Sequence, residues 1–66
     1  MHIKLNGKAH ALEGQISVAA LVETLGLNVT QVAIERNREI VPRSRWGEVM
    51  LDDADEIEIV KFIGGG

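Results

Sequence analysis

The 66-residue chain contains no cysteine. That excludes disulfides, thiolate metal sites, iron–sulfur clusters and any sulfur chemistry on a thiol of the chain itself. There is no tyrosine, one tryptophan, one phenylalanine and a single proline, Pro42. No apolar run approaches the roughly 20 residues that cross a bilayer. A basic excess is absent too. The formal net charge is −3, whereas binding led by nucleic-acid phosphates calls for a basic face. A chain of this length makes one domain and buries only about 60% of the surface its unfolded form exposes. Little interior is left for an enclosed active site.

The residues that are present alternate and turn in a readable order. Met1, Ile3 and Leu5 alternate with His2, Lys4 and Asn6, the period of a half-buried strand and not of a signal peptide. A cytoplasmic location is the resulting expectation. Asn6-Gly7 is a strong hairpin signal, because both residues tolerate positive φ in a type I′ turn, and residues 8–13 return as a second strand. Ser17 is a suitable N-cap. Val18, Leu21, Val22 and Leu25 follow at helical spacing, and Gly26 stands where a helix ends in the left-handed conformation. The spacing predicts a helix over residues 18–25.

Strands are expected at residues 32–36, with Val32 and Ile34 inward, and at residues 40–41, stopped by Pro42. Ser44 can cap a single turn containing Arg45, Trp46 and Gly47. A short extended piece over residues 49–51 and a polar turn at Asp52-Asp53-Ala54-Asp55 lead into a last strand over residues 56–63. The order implies an α+β fold of the β-grasp (ubiquitin-like) kind. Its mixed sheet of four or five strands is crossed by one main helix, with the first and last strands side by side in parallel. Residues 1–63 form the domain, and residues 64–66 a glycine tail.

A search for self-sufficient catalysis finds little. Ser17, Thr24, Thr30 and Ser44 are the hydroxyl residues, His2 and His10 lie on the first hairpin, and no nucleophile–base–acid pattern emerges. Asp52, Asp53, Asp55, Glu56 and Glu58 form an acidic run without calcium-loop spacing, read as a solvated turn and strand face, so no metal site is expected. Lys8 after Gly7 lacks the glycine spacing of a phosphate loop.

The tail carries a different chemistry. Gly64-Gly65-Gly66 follows Phe62-Ile63 directly. A frayed chain end is one account of three glycines. The other is that residues without Cβ thread a narrow channel and carry an unhindered carboxylate about 10 Å beyond the fold. Joined to AMP by a partner enzyme, that carboxylate becomes a reactive mixed anhydride from which a sulfur nucleophile displaces AMP. Phe62 and Ile63 suit an apolar patch guiding the tail into a partner, and core packing of one of them is the competing reading. A lone Trp46 in so small a core reads as structural, with a docking anchor as the alternative. Arg43 and Arg45 read as surface charges.

Across essentially its whole length the chain resembles the thiamin-biosynthesis sulfur carrier family, ThiS. Asn37-Arg38-Glu39-Ile40-Val41-Pro42-Arg43-Ser44-Arg45-Trp46 is similar to that family's Asn-x-x-Ile-Val-Pro-Arg-Ser-x-Trp motif, and residues 53–60 resemble its Asp-Gly-Asp lead-in to the last strand. Ala54 replaces the usual glycine there, which predicts either a turn without positive φ or local strain.

The resemblance implies a protein co-substrate and not an enzyme. A ThiF-like adenylyltransferase, using ATP and magnesium, would adenylate Gly66. Sulfur drawn from cysteine by a desulfurase would convert it to a thiocarboxylate, and a ThiG-like thiazole synthase would take that sulfur. Gly66 is then the reacting residue, and Phe62, Ile63, Gly64 and Gly65 the docking residues, with no cofactor held by the chain itself. The alternatives are a carrier like the small subunit of molybdopterin synthase and a ubiquitin-like modifier or interaction module.

Overall fold

The computed structural model describes residues 1–62. Five strands, β1 (His2–Leu5), β2 (Lys8–Ala11), β3 (Val32–Arg36), β4 (Glu39–Ile40) and β5 (Glu56–Lys61), form one sheet in the order β2-β1-β5-β3-β4. The β1–β5 pair is parallel and the other pairs are antiparallel. One helix, α1 (Val18–Thr24), covers one face, so the arrangement is the β-grasp fold. Among the described residues, no helix is long and apolar enough to cross a membrane.

Local chemistry explains each element. Asn6 and Gly7 adopt φ of 49° and 82°, and Leu5 pairs with Lys8 across a two-residue type I′ turn. The Ser17 side chain accepts a hydrogen bond from the Ala20 N–H at 3.0 Å, capping α1. At the other end the Gly26 N–H donates to the Glu23 carbonyl and the Leu27 N–H to the Val22 carbonyl, with Gly26 at φ 70°. This pairing is a Schellman stop. Leu25 is therefore the cap and not the last helical residue, one short of the expected end.

Other expectations need correction. The second strand, expected over residues 8–13, ends at Ala11. The short strand lies at Glu39–Ile40, one residue early: the Val41 N–H still donates in register to the Ile34 carbonyl at 2.9 Å, but the Val41 carbonyl accepts from the Trp46 indole and the pairing ends there. Ser44 caps nothing. It lies inside a 3-10 turn, Arg43–Arg45, whose N-cap position is held by Pro42 without a side-chain hydrogen bond. The last strand stops at Lys61: the Phe62 N–H still donates in register to the Gln31 carbonyl at 2.8 Å, but the Gln31 N–H turns back to the Asn28 carbonyl at 3.0 Å and the ladder ends. The expectation for Ile63 and the glycine tail lies outside the described residues.

The core lies between sheet and helix. Ile3 from β1, Ile34 from β3 and Ile57 from β5 meet Val18, Leu21 and Val22 of α1, all buried, and Leu51 and Trp46 close its side. Trp46 is 4% exposed and its indole Nε1–H donates to the Val41 carbonyl at 2.9 Å, so its place is structural.

The acidic run is only partly a solvated face. Asp55 is buried and accepts hydrogen bonds from Arg36 Nε at 2.8 Å, Asn37 Nδ2 at 3.1 Å and the Asp52 N–H at 2.8 Å. Arg36 also reaches Asp52 at 3.0 Å. Asn37 completes the tie by accepting from the Glu56 N–H at 2.9 Å. It can do so because Asn37 and Arg38 take φ of 51° and 71°, a second two-residue reversal between β3 and β4. Ala54 stands at φ 70°, so of the two expectations for this turn the strained one holds. A left-handed residue with a Cβ costs about 1–2 kcal/mol. The Ala54 N–H meets the His2 carbonyl at 2.7 Å, fixing the turn against β1.

Burial acts to raise the pKa of Asp55. The hydrogen bonds from Asp52, Arg36 and Asn37, with the Arg36 charge, outweigh it and hold the carboxyl below its ordinary value. A depressed carboxyl stabilises the fold fully above its unfolded pKa of about 3.9 and loses that contribution as pH falls through the folded value. Asp55→Asn is expected to unfold at lower urea than the wild type at pH 7, with the gap narrowing as the pH drops below about 3.9. Urea titrations across that range check this, and a gap independent of pH would contradict it.

Candidate functional site

The geometry of the tail exit follows from β5. Its register places Ile59 opposite Ile34, Val60 opposite Ala33 and Lys61 opposite Val32, at the very start of β3. The Asn6 side chain adds a further tie, accepting from the Ile59 N–H at 2.8 Å. The β1 side holds β5 from Glu56 to Ile59, and beyond that Val60 and Lys61 are held by β3, which fixes the point where the chain leaves the sheet.

Side chains alternate along β5. Ile57 is buried against α1 and Ile59 is half-buried on the same face, whereas Glu56, Glu58 and Val60 face away. Phe62 lies beyond the strand and is 53% exposed, which answers the question of its face: it points outward. Val60 is also exposed, and Ile40, on the neighbouring edge strand, is 63% exposed. Three large apolar side chains therefore stand uncovered around the end of the last strand. Ile63, Gly64, Gly65 and Gly66, the other expected site residues, lie outside the described residues.

The central sequence motif divides into parts with different work. Asn37 holds the Asp55 cluster, Val41 and Trp46 are buried, and Ile40 faces solvent. Arg43 places its guanidinium carbon 5.5 Å from the centre of the Trp46 ring, in cation–π contact. Its Nη2 lies 3.5 Å from the Val32 carbonyl, a long contact. Ile40 and Arg43 are the surface residues that sequence reasoning did not place at the site. The signal for Ile40 was its neighbour: once Val41 is inside, strand alternation turns Ile40 out.

Elsewhere the chemistry is sparse. His2 is exposed and His10 is half-exposed, on adjacent strands of the first hairpin. Among the described residues no group of three or more His, Asp or Glu side chains is placed to hold a metal ion.

Comparison with known proteins gives this geometry a setting. A family model described as the ThiS family matches residues 3–66. The chain is 40% identical over 65 residues to the sulfur carrier protein ThiS of Bacillus subtilis, covering 97% of this chain and 98% of that one. It is also 44% identical over all 66 residues to a thiazole synthase of Paramagnetospirillum magneticum, but spans only 20% of that relative's length. The crystal structure of the thiamine biosynthesis protein ThiS from Geobacter metallireducens superposes with a TM-score of 0.87 at 29% identity, covering both chains completely.

Because the Phe62 side chain is exposed and its backbone hydrogen bond does not depend on the ring, removing the ring is expected to leave stability nearly untouched. Phe62→Ala should shift the unfolding free energy by no more than about 0.5 kcal/mol, the range of ordinary surface substitutions. A loss of about 3–5 kcal/mol in a urea titration would instead be the signature of a core phenylalanine.

Proposed function

The chain belongs to the ThiS family, and on that premise we propose that it carries sulfur, as a thiocarboxylate on Gly66, for the thiazole of thiamin. The observation that most supports this reading is the continuity of the family match through residue 66 from a strand fixed at mid-sheet. A carrier needs a rigid body that a partner can grip and a reactive end that projects from a known point. In the proposed cycle an adenylyltransferase binds ATP and magnesium. The Gly66 carboxylate attacks the α-phosphorus and pyrophosphate leaves. The acyl-adenylate then accepts a sulfur nucleophile at its carbonyl carbon, and AMP departs with one of the original carboxylate oxygens. Hydrosulfide as the nucleophile gives the C-terminal thiocarboxylate at once. A persulfide gives an acyl disulfide, which a thiol reductant cleaves to the thiocarboxylate while being oxidised to a disulfide. The sulfur is then ready for a thiazole synthase.

The division of labour follows from what the chain has. It carries no thiol, so sulfur reaches it from outside, from cysteine by way of a desulfurase. ATP and magnesium belong to the activating partner in this reading. Phe62 and Ile63 dock beside the partner's channel, and Gly64 and Gly65 thread it, because a residue without Cβ needs the least width. The relation to a thiazole synthase in Paramagnetospirillum magneticum, within which a segment 44% identical to this chain occurs, supports an enzyme of that kind as the sulfur acceptor.

Adding one residue after Gly66 moves the carboxylate without touching the described domain. Adenylation by the activating enzyme, read as ATP–pyrophosphate exchange, is expected to vanish while the unfolding midpoint stays where it was. Undiminished exchange would contradict the terminal-carboxylate mechanism.

A further inference from the structure

Between the end of β5 and the β4–Trp46 segment lies a shallow hollow of about 150 Å³, lined by Ile40, Pro42, Arg43, Trp46 and Phe62 among others. Cofactor and drug-sized sites run to about 300–1,000 Å³. This one has room for a side chain and not for a small-molecule ligand. Its walls include two exposed large apolar residues, and one cation stands at its edge.

Among the described residues two arginines make ion pairs and two, Arg38 and Arg43, do not; of the latter, Arg43 is the one at the hollow. Arg36 is paired with Asp52 and Asp55, and Arg45 with Glu48, whereas Arg43 has no carboxylate partner among the described residues. Its one side-chain hydrogen-bond contact among the described residues is the long approach to the Val32 carbonyl, which engages one of the guanidinium's five N–H donors. The indole of Trp46 holds it in place. An arginine stacked in this way has already lost side-chain freedom, so less is lost when it is paired.

Charge along β5 has a direction. Glu56 and Glu58 stand at its start, with Asp52, Asp53 and Asp55 just before them, and Glu35 lies opposite Glu58. Lys61 stands at its end, level with Val32, the residue whose carbonyl Arg43 approaches. The tail therefore leaves from the cationic end of a chain whose net charge is −3. A partner that complements this end presents carboxylate next to an apolar side chain.

We propose that Arg43 is a recognition residue that pairs with a carboxylate of the adenylating enzyme, while an apolar side chain adjacent to that carboxylate enters the hollow between Ile40 and Phe62. This rests on the reading of Gly66 as the adenylated residue. The four residues after Phe62, ending at Gly66, span at most about 14 Å when extended. An enzyme that holds the Gly66 carboxylate at its ATP must therefore cover the surface around Phe62, and Arg43 with it. A planar guanidinium against a carboxylate, shielded by flanking apolar contacts, has the makeup of an interface hot spot.

The test is ATP–pyrophosphate exchange by the adenylating enzyme with the carrier as the varied substrate, for wild type, Arg43→Lys and Arg43→Glu, with urea titrations alongside. Arg43→Glu is expected to raise KM for the carrier at least tenfold with kcat unchanged, and Arg43→Lys to fall between it and the wild type. The wild-type KM should climb with salt while that of Arg43→Glu does not. Unchanged KM values overturn the proposal, as does a loss in kcat alone or one that tracks a lowered unfolding midpoint. The carrier extended beyond Gly66, run in the same assay, separates the two readings. Exchange that needs the free Gly66 but ignores Arg43 refutes this inference only, whereas exchange by the extended carrier refutes the function beneath it.

Discussion

The position of β5 governs the rest of the molecule. It is the last strand in sequence and the middle strand of the sheet, with β1 parallel on one side and β3 antiparallel on the other. A parallel neighbour cannot be reached by a tight turn, so the chain between β1 and β5 has to cross over and return. Everything between Leu5 and Glu56 belongs to that crossing: the hairpin strand β2, the helix that covers the apolar face, and the β3–β4 pair on the far side. The start of β5 is paired on both edges, and its end is held by β3 at Val60 and Lys61, so the direction in which the chain leaves the sheet is set by the sheet itself.

Register matters more here than total burial. A slip of one residue in β5 would turn Ile57 and Ile59 outward and Glu56 and Glu58 toward α1. Polar pins oppose such a slip. At the start of the strand the buried Asp55 is bound by Arg36, Asn37 and the Asp52 backbone, and further along the Asn6 amide oxygen takes the Ile59 N–H. Asp55 is the one buried charged residue among those described, and it is fully engaged. Its partners come from the β3–β4 turn, so the edge strand that carries exposed Ile40 is set in place by the same cluster that sets β5.

Local signals in the sequence were informative where the chemistry is local. Asn6-Gly7, the Ser17 cap, the apolar stripe of α1 and the Gly26 stop each involve neighbours within a few residues, and each stands as expected apart from one residue at the helix end. What was hidden depends on distant partners. Nothing near Asp55 distinguishes it from Asp52 or Asp53, because its burial comes from Arg36 and Asn37 on another strand. The role of Asn37 was concealed for the same reason, although asparagine's tolerance of positive φ was a usable sign of the second turn. At the site, alternation along the last strand was enough to set Phe62 outward. Its neighbours Ile40 and Arg43 come from a separate strand and turn, which only the sheet order brings beside it.

An exposed apolar surface at the end of the last strand and a family match that runs through Gly66 support the proposal of a body that delivers its own end to other proteins. In the proposed cycle the domain supplies position and grip, and its partners supply nucleotide, sulfur and acceptor. The central claim is that Gly66 itself becomes the sulfur donor. Intact-mass measurement of the chain, incubated with the adenylating enzyme, ATP, magnesium, a cysteine desulfurase with cysteine, and a thiol reductant, tests it directly. The account predicts a mass gain equal to the exchange of one oxygen for sulfur, confined to the Gly66-containing peptide. An unmodified Gly66 carboxylate, or adducts joining it to lysines of other proteins, would contradict it.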